Sequence, residues 1–131
     1  MDKIKVLVIN DEGEDIALEE SVLAEAFGTK PANLEVKYIP ATDKETVDAE
    51  LPEAAGVITV YTEFNEAVLK KMKNCKVIAT QTIGINTIDL KAASEQGICV
   101  TNVPDYCVEE VAMHTVTLAL SAARKVTTYD R

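Results

Sequence analysis

The chain alternates between short apolar runs and longer amphipathic stretches. Apolar, strand-like runs cover residues 6–9, 34–39, 56–60 and 75–79, with a shorter fifth at 98–101. Most are almost continuously hydrophobic, the pattern of strands buried on both faces of a parallel sheet. Residues 34–39 differ: Leu34, Val36 and Tyr38 alternate with Glu35, Lys37 and Ile39, which suits an edge strand. Between the runs lie helical patterns. Residues 16–27 place Leu18, Val22, Leu23, Ala26 and Phe27 on one stripe, and Gly28 supplies a left-handed stop. Residues 63–73 carry Val68, Leu69 and Met72 toward the sheet. Residues 87–96 have Asn86 as a cap, Asp89 in the first turn and Gly97 just past the end. Residues 43–50 are a weaker helical candidate. Such βα repetition with short connections predicts an α/β domain, a five-stranded parallel sheet with helices on both faces. The expected architecture is flavodoxin-like, with strand order 2-1-3-4-5. No internal repeat or linker divides it.

The last helix, residues 108–125, has another character. It starts with Glu109 and Glu110 and ends with Arg124 and Lys125, which complements the helix dipole at both ends. Its middle, VAMHTVTLALSAA, is apolar or small nearly all round. A helix of this kind needs partners on several sides, so it is expected to leave the domain and pack on something outside it. The plainer alternative is a final helix lying flat on the sheet.

At 131 residues, 47% hydrophobic and 27% charged, the chain has the size and balance of one globular domain. A net charge of −9 argues against nucleic acid, whose phosphates are bound by clustered Lys and Arg, and against an anionic membrane surface. No run reaches the roughly 18 apolar residues of a spanning helix, and the N-terminus has no signal-peptide pattern. Cys75, Cys99 and Cys107 are odd in number and lack paired zinc spacing, so they read as reduced thiols of a cytoplasmic protein.

The opening KVLVINDEGED resembles the first strand of response-regulator receivers, whose acids hold a magnesium ion. A receiver also needs an acceptor Asp after the third strand and a Lys after the fifth. Here the third ends Thr59-Val60-Tyr61-Thr62 and the fifth Thr101-Asn102-Val103-Pro104, so both are missing. Asn10, Asp11, Glu12 and Gly13 therefore read as a solvated turn that at most borders a cleft, with Asp15 helping to start the next helix. Walker and G-x-G-x-x-G turns are absent. The single histidine, His114, stands mid-helix with Cys107 about two turns earlier. That pair lacks a third catalytic member, and His114 lacks a second clustered metal ligand, so neither a catalytic nor a metal residue is assigned.

Residues 83–125, IGINTIDLKAASEQGICVTNVPDYCVEEVAMHTVTLALSAARK, resemble the NAD-dependent D-isomer-specific 2-hydroxyacid dehydrogenases, a family that includes D-lactate and D-3-phosphoglycerate dehydrogenases and the C-terminal-binding co-repressors. The family pattern runs roughly G-x-D-N-I-D-L-x-A-A, then G-I-x-V-x-N-V-P, then E-x-V-A-x-H-T-x-A-L-x-L-A-x-x-R. The stretch AAGVITVYTEFNEAVLKKM also looks like the family's third strand and following helix. The resemblance implies that residues 1–107 are the substrate-binding domain of an oxidoreductase. Residues 108–131 would be a crossover helix and the start of an NAD-binding domain. That domain would carry the Arg, Glu and His that bind and protonate the substrate, making this chain an inactive part of a longer enzyme. It also implies a small 2-hydroxy or 2-oxo acid as substrate, NAD held mainly by the other domain, and a homodimer of the full-length protein.

By the same resemblance, the backbone amides of Ile83 and Gly84 contact the substrate carboxylate, and Val60 and Tyr61 face the same crevice. Cys107 lies in a loop lining the site, and Val111 and Thr115 stand near the nicotinamide. Each has a structural alternative: Gly84 as a turn glycine, Thr115 as a packed helix residue, Tyr61 as a surface aromatic. Two departures stand out. Asn86-Thr87 replaces the Asp-Asn of many relatives, and Thr80, Gln81 and Thr82 occupy the place where several carry an Arg. The neutral Gln81 argues against a simple D-lactate-like substrate. A second functional reading keeps the fold without the chemistry, as a co-repressor-like binding or regulatory module.

Overall fold

The computed structural model describes residues 3–11, 13, 16–29 and 31–129. Five strands, β1 (Ile4–Asn10), β2 (Leu34–Pro40), β3 (Gly56–Thr59), β4 (Val77–Thr80) and β5 (Cys99–Thr101), form one sheet in the order β2-β1-β3-β4-β5. Every pairing is parallel, with Leu7 beside Val57 and Val57 beside Ile78. In the interior strand β1, Leu7, Val8 and Ile9 are all buried, as expected of a strand covered on both faces. The alternating segment is indeed the edge strand β2, next to β1 alone.

Helices α2 (Lys44–Glu50), α3 (Glu66–Leu69) and α4 (Leu90–Glu95) cover one face. Leu7, Ile9, Val57 and Ile78 meet Val47, Leu69, Met72, Ala92 and Ala93 there in a single core. Asp43 and Asn65 cap α2 and α3 by accepting from Thr46 N and Val68 N. Two expectations need correction here. The cap of α4 is Asp89, whose Oδ1 accepts from Ala92 N at 3.0 Å, and not Asn86. Both α3 and α4 are also shorter than their periodicity predicts. The residues before them are drawn into a bridge between loops, in which Phe64 N donates to Thr87 O and Asp89 N to Phe64 O, both at 2.9 Å.

Helix α1 (Ala17–Phe27) lies over the opposite face and ends at Gly28, whose φ of 75° is the left-handed stop. Its expected stripe is not sealed: Leu18, Val22 and Phe27 are 68%, 55% and 65% exposed, and only Leu23 is half-buried. The reason lies in the last helix. Helix α5 (Val108–Arg124) buries none of its residues, so α1 has no neighbouring helix on this face. An apolar groove stays open between Leu18, Val22 and Leu23 of α1 and Val6, Val36 and Ile58 of the sheet. Lys125, at φ 52°, closes α5, and a short turn of helix, α6 (Val126–Tyr129), follows. Among the described residues no helix is long and apolar enough to cross a membrane. Glu12 and Asp15 lie outside the described residues.

At the far end of the strands, Lys5 and Lys37 bracket Glu50. Lys5 Nζ reaches Glu50 Oε2 at 2.8 Å and Glu53 Oε2 at 2.6 Å, and Lys37 Nζ reaches Glu50 Oε1 at 2.6 Å. The hydrogen bonds from Lys37 and then Lys5 hold the Glu50 carboxyl down at about 2, and the same contacts raise Lys5. A depressed carboxyl contributes stability above its unfolded value, and that contribution is lost as pH falls through the folded one. Relative to Glu50→Gln, the native chain should therefore lose about 1–2 kcal/mol between pH ~4.5 and ~2, a range reduced for partial solvent screening. Urea midpoints measured across that window check it; parallel curves for the two proteins would contradict it.

Candidate functional site

A cleft opens at the carboxyl ends of the strands, where loops leaving neighbouring strands of a parallel sheet diverge. It encloses about 300 Å³ and is lined by Val60 and Tyr61 after β3, by Thr82, Ile83 and Gly84 after β4, and by Tyr106 ahead of α5. Val60 is buried in its floor, whereas Tyr61 is 76% exposed on its rim. Asn86 and Thr87 complete the wall.

The turn after β4 is held by its carbonyl oxygens. Val103 N donates to Thr82 O at 3.1 Å, Asn102 Nδ2 to Ile83 O at 2.8 Å, and Thr82 Oγ1 to Gly84 O at 2.8 Å. Thr80 Oγ1 adds a longer bond to Thr82 O at 3.3 Å. The N–H of a trans peptide points opposite to its C=O. With the oxygens of Thr82 and Ile83 bonded into the protein, the N–H groups of Ile83 and Gly84 are turned the other way. Both residues line the cleft, and among the described residues neither N–H has an acceptor. Two adjacent unpaired amide dipoles are the kind of group that can accept an anion without a basic side chain. This is how a chain of net charge −9 can offer a local seat for a carboxylate.

The structure thus brings Val60, Tyr61, Ile83 and Gly84 together. Cys107 follows Tyr106 at the start of α5 but does not line the cleft; it is half-buried. Val111 and Thr115 stand one turn apart on the exposed surface of α5, outside the cleft wall. Thr115 Oγ1 donates to Val111 O at 2.7 Å. Sequence reasoning passed over Tyr106 and Asn102. Tyr106 directly precedes Cys107, and an aromatic beside an assigned loop residue was a usable signal. Asn102 gave none, because its role depends on the β4–β5 pairing that sets it beside Ile83 across 19 residues.

Other reactive groups stay apart. Cys75 is buried with its thiol pushed up by that burial, and its Sγ donates to Val77 O at 3.3 Å. His114 is exposed on α5. Asp11 is occupied as an acceptor for Thr42 N at 3.1 Å, which ties the β1 turn to the start of α2. No group of three His, Cys, Asp or Glu side chains that could hold a metal occurs among the described residues.

Residues 6–128 match the model of the D-isomer specific 2-hydroxyacid dehydrogenase catalytic domain. A D-3-phosphoglycerate dehydrogenase of Archaeoglobus fulgidus is 32% identical over 118 residues, covering 88% of this chain and 22% of that protein. An aromatic 2-oxoacid reductase of Clostridium sporogenes is 50% identical over 64 residues, 47% of this chain and 19% of that protein. The chain thus spans about a fifth of the length of these relatives. Among solved structures, D-lactate dehydrogenase of Aquifex aeolicus, complexed with NAD and lactic acid, superimposes with a TM-score of 0.68 at 28% identity. That match covers 88% of this chain and 33% of that one.

Proposed function

The chain belongs to the D-isomer specific 2-hydroxyacid dehydrogenase family, through its catalytic domain, and from that premise we propose that residues 1–107 form the substrate-binding half of an NAD-dependent D-2-hydroxyacid dehydrogenase. Residues 108–131 then carry the crossover into a cofactor-binding domain, and the enzyme works in the cytoplasm. The observation that carries this reading is the pair of unpaired amides, Ile83 N–H and Gly84 N–H, on two residues that line the cleft. They are donors for the carboxylate of a small 2-hydroxy or 2-oxo acid, with charge-assisted hydrogen bonds replacing those to water. The floor at Val60 and the rings of Tyr61 and Tyr106 take the remainder of the molecule.

NAD, when bound, supplies or accepts the hydride at C2 of the acid. The fit of this chain to such a partner rests on α5, where Val111 and Thr115 are exposed on one side of the helix. The Thr115 hydroxyl is spent on the Val111 carbonyl, so the side chain can present its methyl group. These two residues would border the nicotinamide, while most of the cofactor is held by the other domain. Orientation of the carboxylate by an Arg, and proton transfer at the C2 oxygen by a Glu-supported His, are assigned to that domain too. The chain's own histidine is exposed on α5, away from the cleft wall.

Two measurements on the 131-residue chain test this reading. In a nitrogen-15 amide titration, pyruvate and hydroxypyruvate should shift the Ile83 and Gly84 resonances, and methyl pyruvate, lacking the carboxylate, should not. NADH oxidation with pyruvate, hydroxypyruvate or glyoxylate should be absent. Robust turnover by this chain alone would overturn the division of labour between domains, and amide shifts scattered away from residues 82–86 would overturn the assigned seat.

A further inference from the structure

Among the described residues, the cleft at the carboxyl ends of the strands has no charged side chain in its wall. Its side chains are those of Thr82, Asn86 and Thr87, the apolar Val60 and Ile83, and two tyrosines. The sheet order places the two rings. Strands β3, β4 and β5 are neighbours in that order, so the loop after β3 brings Tyr61 to one side of the β4 turn and the loop after β5 brings Tyr106 to the other. Both rings are largely exposed, at 76% and 62%, although both line the cleft. Its volume of about 300 Å³ equals roughly ten waters at ~30 Å³ each. A three-carbon 2-oxo acid seated on the Ile83 and Gly84 amides would leave much of that space unfilled.

Tyr61 also lines a second cavity, of about 470 Å³. The charged groups of that cavity are Asp11, Asp48 and Glu63 against Lys44 alone. Lys71 approaches Asp48 at 3.6 Å, and Thr42 N donates to Asp11, but the carboxylates still outnumber the lysine. A group that grows from the amide seat past Tyr61 therefore enters a field of negative sign. A phosphate or a second carboxylate would find no cation in the cleft wall and three carboxylates beyond it. Gln81 does not change this, since it is neutral and lines the α1 groove instead.

We propose that the substrate is a 2-oxo acid with an uncharged aromatic side chain, whose ring lies between Tyr61 and Tyr106 while its carboxylate rests on the amides of Ile83 and Gly84. The proposal rests on the substrate-binding reading above and narrows it to one class, with Tyr61 and Tyr106 as the residues that set specificity. Aromatic rings pack edge-to-face or offset against each other and gain more than their buried area alone supplies. Val60, buried in the floor, and Ile83 add apolar contact for the same ring. Phosphorylated and dicarboxylic 2-oxo acids are disfavoured by the same lining, because neither cavity offers their second anion a net positive partner.

Amide titrations of the 131-residue chain with a panel of acids test it: pyruvate, phenylpyruvate, 2-oxoglutarate, 3-phosphohydroxypyruvate and a guanidino 2-oxo acid. Phenylpyruvate should bind about 10–100-fold tighter than pyruvate, and the two dianionic acids no tighter than pyruvate. Tyr61→Ala and Tyr106→Ala should each lower the preference for phenylpyruvate over pyruvate by about 3–10-fold, whereas Tyr61→Phe and Tyr106→Phe should keep it. Glu63→Lys should raise the affinity for 3-phosphohydroxypyruvate relative to phenylpyruvate, and added salt should remove that gain. Equal affinity for pyruvate and phenylpyruvate would overturn the proposal, as would tighter binding of a dianionic or guanidino acid, or alanine variants with an unchanged preference. In each of those cases shifts at Ile83 and Gly84 would leave the carboxylate seat standing. If none of the acids moves those two amides, the seat falls and the proposal falls with it.

Discussion

Phe64→Ala should lower the stability of the domain by about 3–5 kcal/mol, the range for emptying a large aromatic site in a close-packed core. Phe64 is 0% exposed and belongs to the cluster that joins the sheet to α3 and α4. Its backbone does a second job. The N–H donates to Thr87 O and the carbonyl accepts from Asp89 N, so residue 64 pins the loop after β3 to the loop after β4. Those two loops are the opposite walls of the cleft. Loss of the ring removes the packing that holds this backbone bridge in place, and the anion seat should loosen along with the core. Urea unfolding measures the first effect, and amide hydrogen exchange at residues 83–88 measures the second. A midpoint shift worth less than about 1 kcal/mol would mean that the site collapses around the missing ring. Unchanged exchange at those amides would mean that the cleft does not depend on the bridge.

Gly84→Val should separate binding from stability. Gly84 is exposed and does not adopt a left-handed backbone, so a side chain there brings little conformational strain. Its Cβ would come 3.0 Å from Asn86 Oδ1, close enough to make that short side chain move. The branched methyl groups would then crowd the approach to the N–H groups of Ile83 and Gly84. Hydrogen bonds to a charged group contribute about 1.5–3 kcal/mol each, so losing both weakens carboxylate binding by on the order of 100-fold or more. The amide titration by pyruvate should vanish, and in the chain joined to its cofactor-binding domain the KM for the 2-oxo acid should rise accordingly. The urea midpoint should move by less than about 0.5 kcal/mol, as for most exposed substitutions. Retained affinity in this variant would show that the carboxylate sits elsewhere.

Much of the fold was legible because it rests on local pattern. Continuous apolar runs identified strands buried on both faces, and the alternation of residues 34–39 placed β2 at the edge, where the sheet order has it. Gly28 and Gly97 ended helices as expected, with φ of 75° and 70°. The starts of α3 and α4 were misjudged for one reason. Periodicity reports which residues favour a buried stripe, and it is blind to the Phe64–Thr87 bond that takes those segments out of the helices. The stripe of α1 misled in the same way, since a stripe specifies what a helix should bury and does not supply the neighbour that buries it.

What the sequence alone determined was the order of elements, the parallel sheet, the family resemblance of residues 83–125, and the nearly all-round apolar character of the final helix. Hydrophobic period, glycine stops and end charges are properties of a residue and its near neighbours, and they can be read in line. What only the tertiary structure decided was which polar groups are left over. The N–H groups of Ile83 and Gly84 are left unpaired because Asn102 and Val103, delivered by β5 against β4, occupy the oxygens of that turn. Helix α5 is left exposed because the packing of its own domain buries none of its residues. A donor without an acceptor, or an apolar side chain without a neighbour, is defined by everything else in the fold, so it appears only once strands that are distant in sequence lie side by side.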